Sequence, residues 1–259
     1  MNKFIYIIVG LVVIFGAFII GVSKYRETVQ VPSVNRESDH TSVDVGEKMA
    51  VASGTYKVDA EDNAAINWSG KKPLILGYVD SGTIPIGQGE IVVSGKGVNT
   101  TAIGNFVFNV NDLHVGNVAK KPGQEGGLER HLKSDAFFNV EKYPTASFTS
   151  KNIFKVAGGA AGPDIVSDEF MYTVTGDLKI KDITHEISFL AEIYSKNGAG
   201  DQGGAGSTEL HLKADTQIDR TKWDMTFASG NFFQNLGDGL IDDMVDISVH
   251  LIMSPASSG

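Results

Sequence analysis

Apolar residues recur at every second position through most of the chain after residue 54, and this alternation constrains the fold more than any other feature. Successive side chains of a β-strand point to opposite faces, so the pattern predicts strands that each bury one face. In segment 170–181, apolar residues alternate with threonine, aspartate and lysine. The apolar rows are Phe170, Tyr172, Val174, Leu178, Ile180; Phe106, Phe108, Val110; Ile187, Phe189, Ala191, Ile193; Leu210, Leu212, Ala214, Ile218; and Val245, Ile247, Val249, Leu251.

The number of such segments predicts an all-β, antiparallel barrel. Short connections that contain glycine or asparagine favour a meander, and about eight strands or more are enough to close one. Leu128, Leu132 and Ala136 are spaced by four residues and predict one short helix over 125–136. Pro144 cannot donate to a ladder, so we expect it just before the next strand. Further strand candidates lie near 55–59, 64–69, 74–84, 88–95 and 145–156.

The N-terminal segment from Phe4 to Val22 contains 19 residues without a charge. As a helix it would reach roughly 28 Å, which is enough to span the apolar core of a bilayer. A cleaved signal peptide has a shorter apolar region of about 7–15 residues, so we expect residues 1–23 to be a transmembrane anchor or uncleaved signal. Residues 24–53 lack any period and are interpreted as a linker, and residues 54–259 as the barrel domain.

Charge and composition exclude several classes of function. A formal net charge of −9 repels phosphate backbones, so nucleic acid is not expected as a partner. The chain has no cysteine, which removes disulfides, thiolate metal sites and cysteine nucleophiles. Its six histidines lack the spacing of metal ligands, and the aspartates between 238 and 246 lack the pattern of a calcium loop. The sequence therefore predicts no metal and no cofactor.

A closed barrel with these rows would enclose an apolar interior. Its predicted lining is Phe106, Phe108, Phe148, Phe170, Tyr172, Leu178, Phe189, Leu210 and Leu212. Burying a long apolar chain against such a surface would gain about 0.8 kcal/mol per CH₂ group before ordering costs. Periodicity alone does not distinguish a ligand cavity from side chains that fill the barrel. A filled barrel that acts through its outer surface therefore stays open as the alternative.

Charged and aromatic residues are concentrated in and after the predicted helix. Glu129, Arg130 and His131 could form an acid–base pair or hold a diphosphate. Adjacent helical residues project about 100° apart, so these three side chains are not expected to converge on one substrate atom. We interpret the segment as a structural corner that closes the barrel. Arg130 and His131 are kept as candidates for contact with a ligand head group.

The segment from Tyr78 to Thr83 resembles the Asp-Ser/Thr-Gly-Thr loop of aspartic proteases. Those enzymes need two carboxylates that share a proton, and the sequence has no second copy, so a homodimer would have to complete the site. A turn between strands is the preferred interpretation, and a protease that uses Asp80 is a remote alternative. No catalytic residue is predicted, and a homodimer is left open.

Several short motifs follow one another in a fixed order. They are His131-Leu132, Phe137-Phe138, Tyr143-Pro144, Phe148 with Ser150, Thr175-Gly176-Asp177-Leu178 and Thr184, with Arg220 farther on. In this order they resemble the YceI-like family of polyisoprenoid-binding proteins over roughly residues 54–253. The resemblance implies a lipocalin-like barrel, a long apolar tunnel for isoprenoid chains, no catalysis, and a periplasmic or otherwise secreted location.

Together, the residues and the resemblance predict a membrane-tethered barrel that binds a long-chain apolar lipid. An isoprenoid or an isoprenoid quinone precursor is the expected ligand, and carriage, storage or a stress role the expected use. The N-terminal helix would hold the domain at the membrane, outside the cytoplasm, at the periplasmic or cell-surface side.

Overall fold

The alternating rows of the sequence form strands that pair in antiparallel order. The computed structural model describes residues 51–58, 64–95, 101–155, 171–197 and 208–256. The helix of these ranges, α1, spans Glu125–Lys133, and single turns of 3-10 helix span Val110–Asp112, Arg220–Trp223 and Gly237–Gly239. Ten strands occur in these ranges: β1 Gly54–Val58, β2 Ala65–Lys71, β3 Val79–Ser94, β4 Thr101–Asn109, β5 His114–Asn117, β6 Thr145–Lys155, β7 Met171–Ile180, β8 Ile183–Asn197, β9 Thr208–Asp219 and β10 Met244–Pro255.

β10 closes the barrel because it pairs with β9 on one side and with β2 on the other. The ring runs through β10, β2, β3, β4, β6, β7, β8 and β9 and then returns to β10. The other two described strands extend positions in this ring. β1 continues β2 between β3 and β10, and β5 continues β4 beside the first half of β3. The predicted antiparallel barrel of about eight strands is therefore confirmed.

The long strand β3 differs from the sequence prediction. Separate strands were predicted near 74–84 and 88–95, with a turn at Asp80, but a single strand runs over Val79–Ser94. The proline and glycines in this stretch do not end the strand. Instead, the register of β3 against β4 shifts between Ile86 and Gln88, so a bulge absorbs the irregularity. The predicted turn was wrong, and Asp80 lies near the start of a strand.

The inward rows fill one end of the barrel completely. This end lies where β1 joins the ring, and Met253 pairs there with both Val58 and Leu210. The inward side chains are close-packed, as in an ordinary core. Tyr56, Val93, Ile193, Leu210 and Met253 are each at most 5% exposed. We call this part of the barrel the filled end.

The opposite end is closed by α1 and the segment that follows it. The predicted helix is confirmed, although it ends at Lys133, three residues before the expected end. Leu128 and Leu132 of α1 pack against the barrel core, and Phe137 is buried just beyond them. Pro144 directly precedes β6, as predicted. This segment is therefore a structural corner, in agreement with its interpretation from the sequence.

Some predictions fall on residues outside the described ranges. They concern the membrane anchor at 1–23, the linker at 24–53 apart from its last three residues, and the interior position of Phe170. They remain predictions. In the parts of the chain that the structure describes, no helix combines the length and the apolar character needed to cross a bilayer.

Candidate functional site

A cavity of about 250 Å³ lies in the barrel between the filled end and α1. It is far larger than the space of about 10–15 Å³ that one water needs. Every strand of the ring contributes side chains to its wall, and nearly all of them are aliphatic or aromatic. The β10 row contributes Val245, Ile247, Val249 and Leu251, which the sequence analysis recognised as an inward row but did not include in the predicted lining.

The lining of the cavity extends along the barrel. On β3 it runs from Asp80 to Ile91. At about 3.3 Å per residue and a strand tilt of about 40°, this stretch covers roughly 28 Å along the barrel axis. A lining of this length suits an extended chain.

Most of the predicted lining residues line this cavity. They are Phe106, Phe108, Phe148, Leu178, Phe189 and Leu212. Two others were placed wrongly: Tyr172 and Leu210 belong to inward rows, but they pack in the core outside the cavity lining. Leu210 has no exposed surface because it belongs to the filled end. Alternation finds the inward face of a strand, but it does not tell how far the packed core extends along that face.

Aromatic rings of the wall lie against glycines of the neighbouring strands. A Cβ built on Gly82 would be 2.9 Å from Cζ2 of Trp68, and one on Gly89 would be 2.9 Å from Cδ1 of Phe106. Gly176 accommodates the ring of Phe148 in the same way, at 2.6 Å from Cζ. Real Cβ atoms do not approach ring carbons so closely, so only glycine fits at these places. These glycines therefore let the aromatic rings approach the backbone of the neighbouring strands closely.

The end of the cavity nearest to α1 is polar. Lys71, Lys72, Asp80, Arg220 and Asp242 contribute to its lining. Arg220 is only 3% exposed, and most of its donors are already used. Four of its five N–H donors bond the carbonyls of Met225, Asp242 and Ile241 and, at 3.2 Å from Nη2, Oδ1 of Asp243. Arg220 therefore ties the start of β10 to the end of β9, and its role is structural.

Asp80 has one defined partner at this polar end. Its Oδ1 accepts a hydrogen bond of 2.8 Å from the backbone N–H of Ala119. Burial raises the pKa of the Asp80 carboxyl, although the Ala119 N–H and the charges of Lys72 and Lys121 act in the opposite direction. A protease dyad would instead place a second carboxylate against the first. Because a homodimer would have to supply that second carboxylate, the remote alternative of a protease that uses Asp80 remains a prediction.

Glu129, Arg130 and His131 point in different directions, as expected for consecutive residues of a helix. Glu129 bonds Lys133 at 2.8 Å and the N–H of Val115 at 3.3 Å, and the Lys133 bond in particular lowers the pKa of its carboxyl. The exposed side chain of Arg130 does not contribute to the cavity lining. His131 does contribute to the lining. Contact of either residue with a head group remains a prediction, and only His131 is placed for it.

The ring of His131 lies among aromatic neighbours. Its centroid is 5.1 Å from that of Phe137 and 4.7 Å from that of Phe227, both in edge-to-face geometry. Arg220 lies over the other side of this cluster, 5.8 Å from the centroid of Phe137. This packing joins α1 to the loop after β9, and it explains why an apolar corner carries a histidine.

The two tryptophans have different environments. Trp223 is a core residue, and its Nε1–H donates to the carbonyl of Leu178 at 3.2 Å. Trp68 lines the cavity, and its Nε1–H has no acceptor among the described residues. Trp68 was not among the predicted ligand-binding residues, although its inward position on β2 follows from the alternation with Ile66 and Gly70.

Exposed apolar side chains surround the polar end of the barrel. The apolar rim, as we call it, consists of Leu74, Leu76, Phe227, Phe232 and Phe233. These residues lie on the loop between β2 and β3 and on the loop between β9 and β10. Two hydrogen bonds join the loops. Lys72 Nζ donates to the carbonyl of Asp238 at 3.3 Å, and the N–H of Asp242 donates to the carbonyl of Lys71 at 2.9 Å. Clustered exposed apolar surface of this kind marks interaction sites.

Two solved structures are similar to this chain, and the first of them supports the fold. The crystal structure of BcnA from Burkholderia cenocepacia has a TM-score of 0.51 and 18% sequence identity, with 75% of this chain and 98% of that chain covered. A polyisoprenoid binding domain from Saccharophagus degradans, described as implicated in plant cell wall breakdown, has a TM-score of 0.48 and 14% identity. Here the coverage is 78% of this chain and 98% of that chain.

Sequence comparison extends the relationship. The UPF0312 protein plu2095 of Photorhabdus laumondii subsp. laumondii is 34% identical over 89 residues, which are 33% of this chain. The chain spans only 40% of the length of that relative. The model of the YceI-like domain family matches residues 56–253, a stretch that includes almost the whole barrel. The chain therefore belongs to the family of YceI-like domains.

Proposed function

We propose that the protein binds one long-chain apolar lipid, of isoprenoid type, in the cavity between the filled end and α1. The observation that carries this proposal is the cavity of about 250 Å³, whose lining is mostly apolar and extends along the barrel between its two ends. Burial of the chain supplies the affinity, at about 0.8 kcal/mol for each CH₂ group removed from water. The extended lining favours a single unbranched or methyl-branched chain.

The polar end and the filled end give the ligand an orientation. An apolar tail gains most from the aliphatic and aromatic wall. A polar head group belongs beside Lys72, Asp80 and His131, because a charged or hydroxylated group in the apolar lumen would lack partners. The barrel therefore takes up the ligand tail first, with the head group close to α1.

The alternative is a barrel filled by its own side chains. Such packing occurs at only one end of this interior. Close packing is complete around Met253 and Leu210, but it stops before the row that contains Leu212 and Ala214. A core that merely stabilised the fold would not need glycines at the positions where Trp68, Phe106 and Phe148 lie against the wall. These features favour the ligand-binding function over a purely structural interior.

Native mass spectrometry of the full chain tests the proposal. The protein is purified without added detergent, and an organic extract of the same sample is analysed beside it. We expect a 1:1 adduct that releases a polyprenyl lipid. Bare protein that also fails to take up added polyprenols would overturn the proposal and would return attention to the outer surface of the barrel.

We propose further that the ligand is exchanged with a bilayer at the apolar rim. Leu76, in this rim, is 96% exposed, and the rim lies at the polar end of the cavity. A lipid that passes directly from bilayer to cavity avoids water, where its exposed tail is costly. In this proposal residues 1–23 hold the barrel outside the cytoplasm at the membrane surface, and the protein carries or stores the lipid there.

A further inference from the structure

The wall of the barrel is incomplete between β4 and β6, on the side of the filled end. The pairing of these two strands ends where Asn105 meets Thr149. Beyond this pair, within the described ranges, residues 101–104 of β4 pair with β3 alone, and residues 150–155 of β6 pair with β7 alone. The two strands therefore diverge. We name the opening between 101–104 and 150–155 the lateral cleft.

A bulge and a serine side chain produce this divergence. The register of β6 against β7 shifts between Ser150 and Asn152, so β6 holds one extra residue there. At the same point the N–H of Gly104 donates to Oγ of Ser150 at 2.6 Å, instead of to a backbone carbonyl of β6. Ser150 is 5% exposed, so its hydroxyl satisfies a buried donor where the ladder stops. The cleft therefore begins at a defined contact.

The cavity extends to the lateral cleft. Its lining includes Gly104 on one side of the cleft, and Ser150 and Ile153 on the other. Ile91 is the last residue of β3 that lines the cavity, and it pairs directly with Gly104. The cleft thus begins at the end of the cavity opposite to the polar end, where the tip of a lipid tail would arrive.

Inward side chains that border the cleft are partly exposed. Ala102 of β4 and Ile153 of β6 continue the inward rows and pack against the core, yet neither is buried. Their partners on the strands away from the cleft, Val93 and Val174, are only 4% and 3% exposed. The difference occurs on the two strands that diverge. Apolar surface of the interior is therefore accessible from outside at the cleft.

We infer that the lateral cleft is a second opening of the cavity, and that the tail of a long polyprenyl chain leaves the barrel through it. The head group stays beside α1, and the last units of the tail lie against Ala102 and Ile153. This inference rests on the proposed lipid-binding function and adds to it the chain length of the ligand.

The length of the lining shows which chains need this exit. On β3 the lining covers roughly 28 Å along the barrel axis. Three backbone bonds of an extended polypeptide advance about 3.3–3.6 Å, so the four main-chain bonds of an isoprene unit advance roughly 4.5 Å. The cavity thus encloses about six isoprene units, and a longer chain must project from it.

Paramagnetic broadening in amide NMR spectra tests the inference on the full, unaltered chain. The probes are polyprenols of about four and about eleven isoprene units, chosen below and above the enclosed length, each with a nitroxide on its last unit. We expect the long probe to broaden the signals of Thr101 and Asn152, exposed residues that border the cleft, and the short probe to leave them sharp. Broadening by the long probe at Leu74 and Phe232 of the apolar rim instead would overturn the inference.

A matched pair of tryptophan substitutions provides a second test. Ile153→Trp places a bulky ring at the cleft, whereas Phe154→Trp places one on the outer face of the same strand, where Phe154 is 63% exposed. We expect Ile153→Trp to bind the long polyprenol at least about tenfold more weakly and the short one with less than about a twofold change. Phe154→Trp should change neither affinity.

The two polyprenols also separate this inference from the proposed function. Wild-type affinity of Ile153→Trp for the long polyprenol, or an equal loss for both in a variant that unfolds at the wild-type urea concentration, would overturn the inference and leave lipid binding intact. If the variant does not fold, the broadening measured on the unaltered chain decides. If neither polyprenol binds the wild-type chain, the proposed function itself fails.

Discussion

The ring of Phe148 lies directly on Gly176 of the neighbouring strand, where a Cβ would be 2.6 Å from Cζ of the ring. The same Cβ would also collide with the backbone carbonyl of Thr149. Phe148 then meets Phe189 on the next strand, with ring centroids 5.6 Å apart. The glycine in the Thr175-Gly176-Asp177-Leu178 motif thus lets aromatic rings cover the wall of the lumen without crossing it.

Substitution Gly176→Ala should therefore destabilise the barrel. The new methyl group meets backbone as well as ring atoms, so the strands must shift, and we expect the free energy of unfolding to fall by about 1–3 kcal/mol. Urea denaturation followed by fluorescence measures this change. Gly116→Ala is the matched control, because a Cβ on this strand glycine would have its nearest contact at 3.9 Å. A similar loss in both variants would show that the Phe148 contact is not the cause.

Replacing Arg220 by Met should be among the most destabilising single changes. The substitution leaves three carbonyls and Asp243 without their donor, while the side chain they surround is only 3% exposed. Removing one partner of a buried charge pair costs about 3–5 kcal/mol, and lysine cannot replace the planar fork of donors. Thermal and urea unfolding measure the loss.

The control for Arg220 is Lys57→Met, which breaks the exposed pair of Lys57 and Glu90 at 3.5 Å. We expect less than about 1 kcal/mol from that change. If Arg220→Met unfolds no more easily than Lys57→Met, the proposed structural role of Arg220 is wrong.

Asp80 should make the protein more stable as the pH falls below neutral. Burial raises the pKa of its carboxyl in the folded chain, so the folded state holds this proton more tightly than the unfolded state. The contribution of Asp80 to stability therefore increases as the pH falls through the raised pKa, and it levels off below the ordinary value of about 3.9. Asp80→Asn keeps an acceptor for the Ala119 N–H and carries no charge, so it should remove this dependence and stabilise the protein at pH 7.

Asp80→Ala distinguishes the hydrogen bond from the charge. It removes the charge but also leaves the N–H of Ala119, a buried residue, without its acceptor, which costs about 1–3 kcal/mol. Unfolding free energies of the three proteins between pH 4 and pH 8 provide the measurement. An Asn variant with the wild-type pH profile would contradict the assignment of this profile to Asp80.

The apolar rim should control how fast the protein exchanges lipid with a bilayer. Phe232→Asp places a charge on a rim side chain that is 59% exposed, and we expect transfer from phosphatidylcholine vesicles to slow about five- to tenfold. Stopped-flow transfer of a fluorescent polyprenol provides the rate. Phe154→Asp is the control, because Phe154 is 63% exposed and lies near the end of β6, away from the rim. Equal rates for the two variants would rule out exchange at the rim.

The alternation of apolar residues predicted the barrel because it depends only on which face of each strand meets the interior. Phe106, Phe148 and Leu212, which it assigned to the interior, line the cavity. It could not separate them from Leu210, since the depth of the packed core depends on side chains from several strands. The β3 bulge was missed because Pro85 and the nearby glycines are also the residues that typically form turns.

Less of the polar end of the cavity could be predicted from the sequence. Trp68, Asp80 and Asp242 are far apart in the chain, and they meet only because β2 pairs with both β3 and β10. The Nε1–H of Trp68 is buried without an acceptor among the described residues. This state is a consequence of three-dimensional packing, so no motif could reveal it. Arg220 was recognised by its resemblance to a family position, but its bonds to three carbonyls are visible only in the structure.

Filling the cavity tests the central claim most directly. Ala146 lines the cavity, whereas Ala191 is 1% exposed in the close-packed part of the interior and does not line it. We expect Ala146→Phe to fold with nearly wild-type stability and to bind a fluorescent polyprenol at least tenfold more weakly. Ala191→Phe should instead lose about 1–3 kcal/mol of stability from overpacking. If Ala146→Phe binds polyprenol as tightly as the wild-type chain, the cavity is not the lipid site.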